Sequence, residues 1–344
     1  MRNAMGVHGS WQVELLVRVV HAIPVDAIIL ITAVTKALHA MAIRQQSSAE
    51  CLVDGVLPPI ITAFNDDETI NYDATAAHAR FVVDRGVHGV FPLGTNGEFP
   101  MLKPRERANV IGAVVDEVGS DVPVIAGVSA PSTRNTVSYA VDAEDNGADA
   151  VVVGMPYYYP IDSRAIVDHY QRVVDAVSIP VFIYHYPARM GNKLEIETLD
   201  RLADIDGIVG VKDSSGDVGW LFRAIDRNPD LAFLAGVDTL LFAELEIGCT
   251  GFVSTVSNVF PGIAVELYEA FANGNDEQVR ELQSTMLDIW TALDEGPYLG
   301  GVKSALSIHP DVSFRPGPMR SPLHRMDASS EERLRETLAE LGLF

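Results

Sequence analysis

From residue 56 onward the chain alternates short apolar, β-branched runs with segments whose apolar positions recur at helical spacing. The runs predict eight strands, over 56–62, 89–94, 122–128, 150–155, 180–186, 207–213, 232–237 and 251–255. Between them the period predicts helices over 73–85, 104–118, 133–146, 163–177 and 218–227. Two runs, AVVVGM from Ala150 and PVFIYHY from Pro180, are apolar almost without a break. Such strands are buried on both faces, as in a parallel sheet covered by helices. Eight β-then-α units with right-handed crossovers close into a (β/α)8 TIM barrel. The rival architecture, an open doubly wound sheet, usually carries G-x-G-x-x-G after its first strand, and VLPPIITAFNDD offers none.

Four more helical stretches, over 261–273, 276–294, 298–308 and 329–341, exceed the needs of one barrel. The catalytic barrel is therefore expected over 51–260. Residues 261–344 would hold its last helix and a C-terminal helical appendage. Residues 1–50 read as an N-terminal extension, either an extra helix or upstream sequence ahead of a start at Met41. Their apolar stretch is broken by Pro24, Asp26, Lys36 and His39, which leaves 27–34 unbroken. A membrane span needs about 20 apolar residues, and the parts of a secretory signal do not line up here.

Charge separates the two regions. Of 25 Lys+Arg and 47 Asp+Glu, only Arg2, Arg18, Lys36, Arg44, Glu14, Asp26 and Glu50 fall in the first fifty residues, so 21 basic and 44 acidic residues, a net charge of −23, fall in the remainder of a chain whose total is −22. A body this acidic repels phosphate backbones and anionic lipid, which argues against nucleic-acid and membrane partners. Only Lys36, Lys103, Lys193, Lys212 and Lys303 are lysines. Few lysines and many carboxylates keep a folded surface hydrated in concentrated salt, so a halophilic protein is expected, against the plainer reading of an ordinary acidic one. Two cysteines, Cys51 and Cys249, cannot build a disulfide framework, and a cytoplasmic location fits them. No Cys-x-x-Cys or His-x-x-x-His spacing supports a metal site.

Barrel chemistry gathers at the C-terminal ends of the strands. There the sequence offers Gly94-Thr95-Asn96-Gly97-Glu98, the tyrosines Tyr157, Tyr158 and Tyr159, the run from Tyr184 to Arg189, and Lys212-Asp213-Ser214. Among the four lysines after residue 50, Lys212 alone ends an apolar strand, GIVGVK. Burial disfavours the charged form, lowers the pKa and frees an amine that can attack a ketone carbon. The competing role is a structural ion pair with Asp213. The turn at Thr95 and Asn96 can hold a carboxylate on its N–H groups, or be glycine-rich for steric reasons alone. Tyr184 can relay a proton, Tyr158 can belong to an interface cluster, and Arg189 can meet either a substrate carboxylate or a surface acid.

Four motifs then agree in order and spacing with one family. GTNGE resembles its G-[TS]-T-G-E, MPYYYP its P-Y-Y, YHYPARMG its Y-N-x-P-x-R-T-G, and GVKDSSGD the surroundings of its Schiff-base lysine. From about Gly55 to the end the chain resembles the dihydrodipicolinate synthase and N-acetylneuraminate lyase family, class I aldolases on a (β/α)8 barrel. The resemblance implies that Lys212 forms an imine with pyruvate or another 2-oxo acid and that Tyr184 is the nearby acid and base. It also implies that Thr95 links Tyr184 to Tyr158, the latter crossing a dimer interface in a homotetramer. By the same resemblance Thr95 and Asn96 N–H groups hold the 2-oxo acid carboxylate, Arg189 engages the aldehyde, and Val253 lines the pocket. No metal or organic cofactor is implied, because the protonated imine is the electron sink.

Three departures stand out: Asn96 where a second Thr or Ser is usual, His185 where Asn is common, and Met190 where Thr is common. They are expected to reshape the pocket for the second substrate. They favour a 2-keto-3-deoxy sugar acid aldolase over a dihydrodipicolinate synthase condensing pyruvate with aspartate semialdehyde. A phosphate-binding barrel isomerase lacks its glycine-rich cradle near Gly236 and Gly251, and a non-catalytic 2-oxo acid binding relative would not need Lys212, Tyr184, Thr95 and Tyr158 together.

Overall fold

In the computed structural model, which describes residues 54–343 apart from Tyr298, apolar runs pair side by side in the parallel sense. The strands are β1 (Gly55–Val56), β2 (Ile125–Gly127), β3 (Ala150–Gly154), β4 (Val181–His185), β5 (Ile208–Asp213), β6 (Ala232–Ala235) and β7 (Gly251–Phe252). Their order is β1-β7-β6-β5-β4-β3-β2. Every residue of β3 and β4 is buried, as their unbroken apolar runs require. The expected extension over 1–50 lies outside the described residues.

The eighth expected strand, over 89–94, does not form a regular ladder; it makes one parallel bridge, Val90 to Val124. Proline explains the difference. Pro58, Pro59, Pro92 and Pro123 have no N–H to donate, so neither the first nor the second stave can complete its hydrogen-bond pattern. The remaining groups still close the ring. On one side His88 N–H donates to Val56 O (3.0 Å) and Phe91 N–H to Pro58 O (2.9 Å). On the other, Ile125 N–H donates to Val90 O and Gly127 N–H to Pro92 O, both at 2.9 Å. Seven strands and this irregular stave make the TIM barrel.

Helices α1 (Tyr72–Val83), α2 (Pro104–Val118), α3 (Thr133–Asp145), α4 (Ser163–Val174) and α7 (Val218–Arg227) follow the predicted spans to within a few residues. Four of the five starts are set by side-chain caps, Asn71, Ser132, Asp162 and Asp217 each accepting from a first-turn N–H, and α2 starts on Pro104. Three short helices were not anticipated: α5 (Pro187–Met190), α6 (Ile196–Ala203) and α8 (Leu241–Glu246). None has a side-chain cap to announce its start, and all are eight residues or shorter.

After β7 come α9 (Pro261–Ala272), α10 (Asp276–Asp294), α11 (Gly300–Ile308) and α12 (Ala328–Glu340). The helix α12 lies against α10 and α11, burying Leu334 and Leu338. Gln283 on α10 holds the β6–α8 loop by donating to Asp238 O and accepting from Phe242 N–H.

Candidate active site

Strand alternation sorts the chemistry. Tyr184 pairs with Lys212 across the β4–β5 ladder and His185 pairs with Asp213 one step on, so the first pair faces the barrel mouth and the second faces away. Lys212 therefore makes no ion pair with Asp213. The carboxylate of Asp213 instead accepts from His185 Nδ1 at 2.7 Å and from Ser215 Oγ at 2.8 Å. Because His185 Nε2 accepts from Leu194 N–H, the ring proton sits on Nδ1. The ring is fully buried, 4.2 Å from the ring of Trp220.

Lys212 is 5 % exposed at the floor of a cavity of about 290 Å³. Its Nζ lies 4.1 Å from the ring centroid of Tyr184 and 4.8 Å from that of Phe91. Burial lowers its pKa to about 7, with the carboxylate of Asp238 pulling the other way. At pH 7 about half of the amine is then neutral, where an ordinary lysine has roughly three parts in ten thousand. Asp238 itself is held by Ser254 Oγ and by the N–H groups of Thr255 and Val256.

Burial also raises the Tyr184 phenol to about 12, partly offset by hydrogen bonds from Thr95 and Ser214. Thr95 Oγ1 lies 3.4 Å from the Tyr184 hydroxyl, and Asn96 Nδ2 lies 3.4 Å from Thr255 Oγ1, both at the long limit of a hydrogen bond. Leu93 and Glu98, at the two ends of this turn, adopt left-handed φ of 60° and 54°. Thr95, Asn96, Tyr184, Lys212 and Val253 all line the cavity.

Tyr158 and Arg189 do not. Tyr158 is 83 % exposed with φ 84°, its ring edge-on to Tyr159 at 4.9 Å. Arg189 is exposed on α5, although its charge acts on Tyr184. Two of the three departures also leave the wall: His185 is turned outward, and Met190 is buried against Gly154. The expectation that both reshape the second-substrate pocket is corrected accordingly; Asn96 alone reaches it.

The far wall carries none of the motifs in the sequence. Trp290, Leu293 and Asp294 on α10, with Leu299 and Val302, roof the cavity opposite the strand ends. The i, i+3, i+4 spacing of the α10 residues puts them on one face, a signal present in the sequence but shared with any packed helix.

The sequence profile of the dihydrodipicolinate synthetase family matches residues 52–341. The chain belongs to the dihydrodipicolinate synthetase family. Members of this family are lyases of the class I aldolase type, and so is this protein. Within the family it is 56% identical to an uncharacterised DapA-like lyase of Halobacterium salinarum over 290 residues, 84% of this chain and 94% of that one. It is 39% identical to the 4-hydroxy-tetrahydrodipicolinate synthase of Methanopyrus kandleri, over 85% of this chain and 97% of the other. Among solved family structures, YagE, an E. coli K12 prophage protein in complex with pyruvate, superposes with a TM-score of 0.80 at 30% identity, covering 85% of this chain and all of YagE.

Proposed function

We propose that this family member makes or breaks a carbon–carbon bond between a 2-oxo acid and an aldehyde, with 2-keto-3-deoxy sugar acids as its substrates. The neutral amine of Lys212 attacks C2 of the 2-oxo acid to give a carbinolamine. A phenol held at about 12 is protonated at every working pH, so Tyr184 starts as the acid. It gives its proton to the departing hydroxyl, and water leaves the protonated imine. Loss of a C3 proton makes an enamine, whose carbon attacks the aldehyde carbon while the aldehyde oxygen takes up a proton. Hydrolysis returns Lys212, and cleavage runs the same steps in reverse.

In this reading the N–H groups of Thr95 and Asn96 hold the 2-oxo acid carboxylate, and Val253 packs beside it. Tyr158 of a second copy completes a relay through Thr95 to Tyr184, in a homotetramer built from dimers. Its left-handed backbone costs about 1–3 kcal/mol and supports a role that a lone chain does not use. Cysteine usage supports a cytoplasmic location.

The charge on the cavity wall carries the choice of substrate. Among the described residues lining it, Lys212 is the single cation and is consumed as the imine, while Asp238 and Asp294 are acidic. Hydroxyls can donate to Asp294 and bond to Ser215, Thr239 and Thr255, whereas a second carboxylate meets no cation there. The alternative, condensation of pyruvate with aspartate semialdehyde, is favoured by the nearby charge of Arg189. A panel in molar KCl separates them: 2-keto-3-deoxygluconate, its phosphate, N-acetylneuraminate, and pyruvate with aspartate semialdehyde. Activity with the last pair alone would reverse the assignment.

A further inference from the structure

The turn that carries Thr95 and Asn96 ends on a carboxylate buried at the junction of two parts of the chain. Glu98 is 2 % exposed and accepts from Lys303 Nζ at 2.7 Å through one oxygen and from Arg320 N–H at 2.9 Å through the other. Lys303, also 2 % exposed, donates in addition to Pro318 O at 2.9 Å and lies 4.4 Å from the ring centroid of Phe64. The Arg320 guanidinium covers the same ring at 4.6 Å and grips Glu106 through its two terminal nitrogens, at 2.8 and 3.0 Å. Close approach fixes the segment from Pro316 to Arg320: a Cβ on Gly317, where φ is +74°, would lie 1.7 Å from Phe64 O.

Three hydrogen bonds from outside the turn thus hold its six residues: those of Lys303 and Arg320 to Glu98 and that of Thr62 to Gly97. Leu93 and Glu98 hold left-handed φ at the ends, and Thr62 Oγ1 donates to Gly97 O at 2.7 Å. A left-handed leucine and a left-handed glutamate are both strained, so the turn keeps its shape only while something outside it over-determines that shape. The Glu98–Lys303 pair is the restraint that comes from α11, the helix whose Val302 forms part of the cavity roof. Floor and roof are therefore joined through one buried ion pair.

We infer that Glu98 is a positioning residue for 2-oxo acid binding, and that its ion pair with Lys303 makes the C-terminal helices part of the carboxylate cradle at Thr95 and Asn96. The inference rests on the imine reading of Lys212. Breaking the pair relaxes the turn, tilts the two N–H groups off the carboxylate, and leaves Lys212, on a different strand, able to form its imine. The loss appears in the pyruvate concentration needed for half-maximal trapping, not in the trapping rate at saturation.

The test is borohydride trapping with pyruvate across a concentration series, on the full chain in molar KCl, with wild type, Glu98→Gln, Lys303→Met and the double variant E98Q/K303M. Replacing both members of a buried pair leaves no uncompensated charge, so the double variant is the one expected to fold if either single one does not. The half-saturating pyruvate concentration should rise at least about tenfold in each folded variant, with the saturated rate within about threefold of wild type. Lys303→Arg, which keeps the charge, should recover part of the loss. A folded double variant with wild-type half-saturation would overturn the inference. Failure of wild type to trap on Lys212 would instead remove the imine reading beneath it.

Discussion

Tyr184 stands directly across the β4–β5 ladder from Lys212, and its ring centroid lies 4.1 Å from the lysine Nζ. The two groups shift in opposite ways for one reason: burial favours the neutral form of each, holding the amine at about 7 and the phenol at about 12. A nucleophile and an acid thus coexist over the pH range between those values.

The rate of reductive trapping with pyruvate should therefore rise with pH through about 7 and level off above it. An ordinary lysine would keep rising to about 10. The same shift sets a stability slope. The folded value is below the unfolded one, so between about 7 and 10.4 the unfolded chain binds more protons and this group's contribution to stability rises with pH. Lys212→Arg should give no adduct and lose at least about 10³-fold in turnover.

Chain mixing tests the exposed tyrosine. Lys212→Ala and Tyr158→Ala should each be poorly active alone. Co-refolded, they should regain part of the activity, because some sites then receive Tyr158 from one chain and Lys212 from another. Sedimentation in molar KCl should show tetramers. A fully active Tyr158→Ala chain would refute the cross-chain role.

His185 offers a contrast. His185→Ala removes the partner of Asp213 and of Leu194 N–H, a loss of about 1–3 kcal/mol for each buried group left unpaired. The melting temperature should drop while half-saturation by pyruvate stays within about twofold, since the ring lies outside the cavity wall. A large change in half-saturation at unchanged stability would place His185 in the substrate pocket after all.

The acidic surface predicts a salt requirement, in keeping with the Halobacterium source of a 56%-identical relative. Thermal unfolding in molar KCl should occur at a higher temperature than in dilute buffer, as cations screen carboxylates that repel one another. Greater stability in dilute buffer would exclude salt adaptation.

The strand ends were legible in the sequence because strands with a period of two display their chemistry in order. Lys212 stands out as the lysine closing an apolar run, and GTNGE as a glycine-containing turn with exposed backbone N–H groups. What period two could not decide was which of two adjacent polar residues faces the mouth. His185 stands where the family motif commonly has Asn, which suggests a pocket position, yet alternation turns it to the helix layer. The irregular stave escaped because prolines silence the pairing that apolar residues announce. Lys303 escaped for a different cause: its partner Glu98 is 205 positions away, and nothing local to a helix marks an ion pair that the fold creates.

The cavity draws its two sides from distant stretches of chain. In the proposed reading bond chemistry rests on the strand ends, while the aldehyde end would face Trp290, Leu293, Asp294, Leu299 and Val302, to which that reading assigns no catalytic step. Such a division lets selection, or a library written into those five codons, explore new carbonyl partners while the reacting lysine stays untouched.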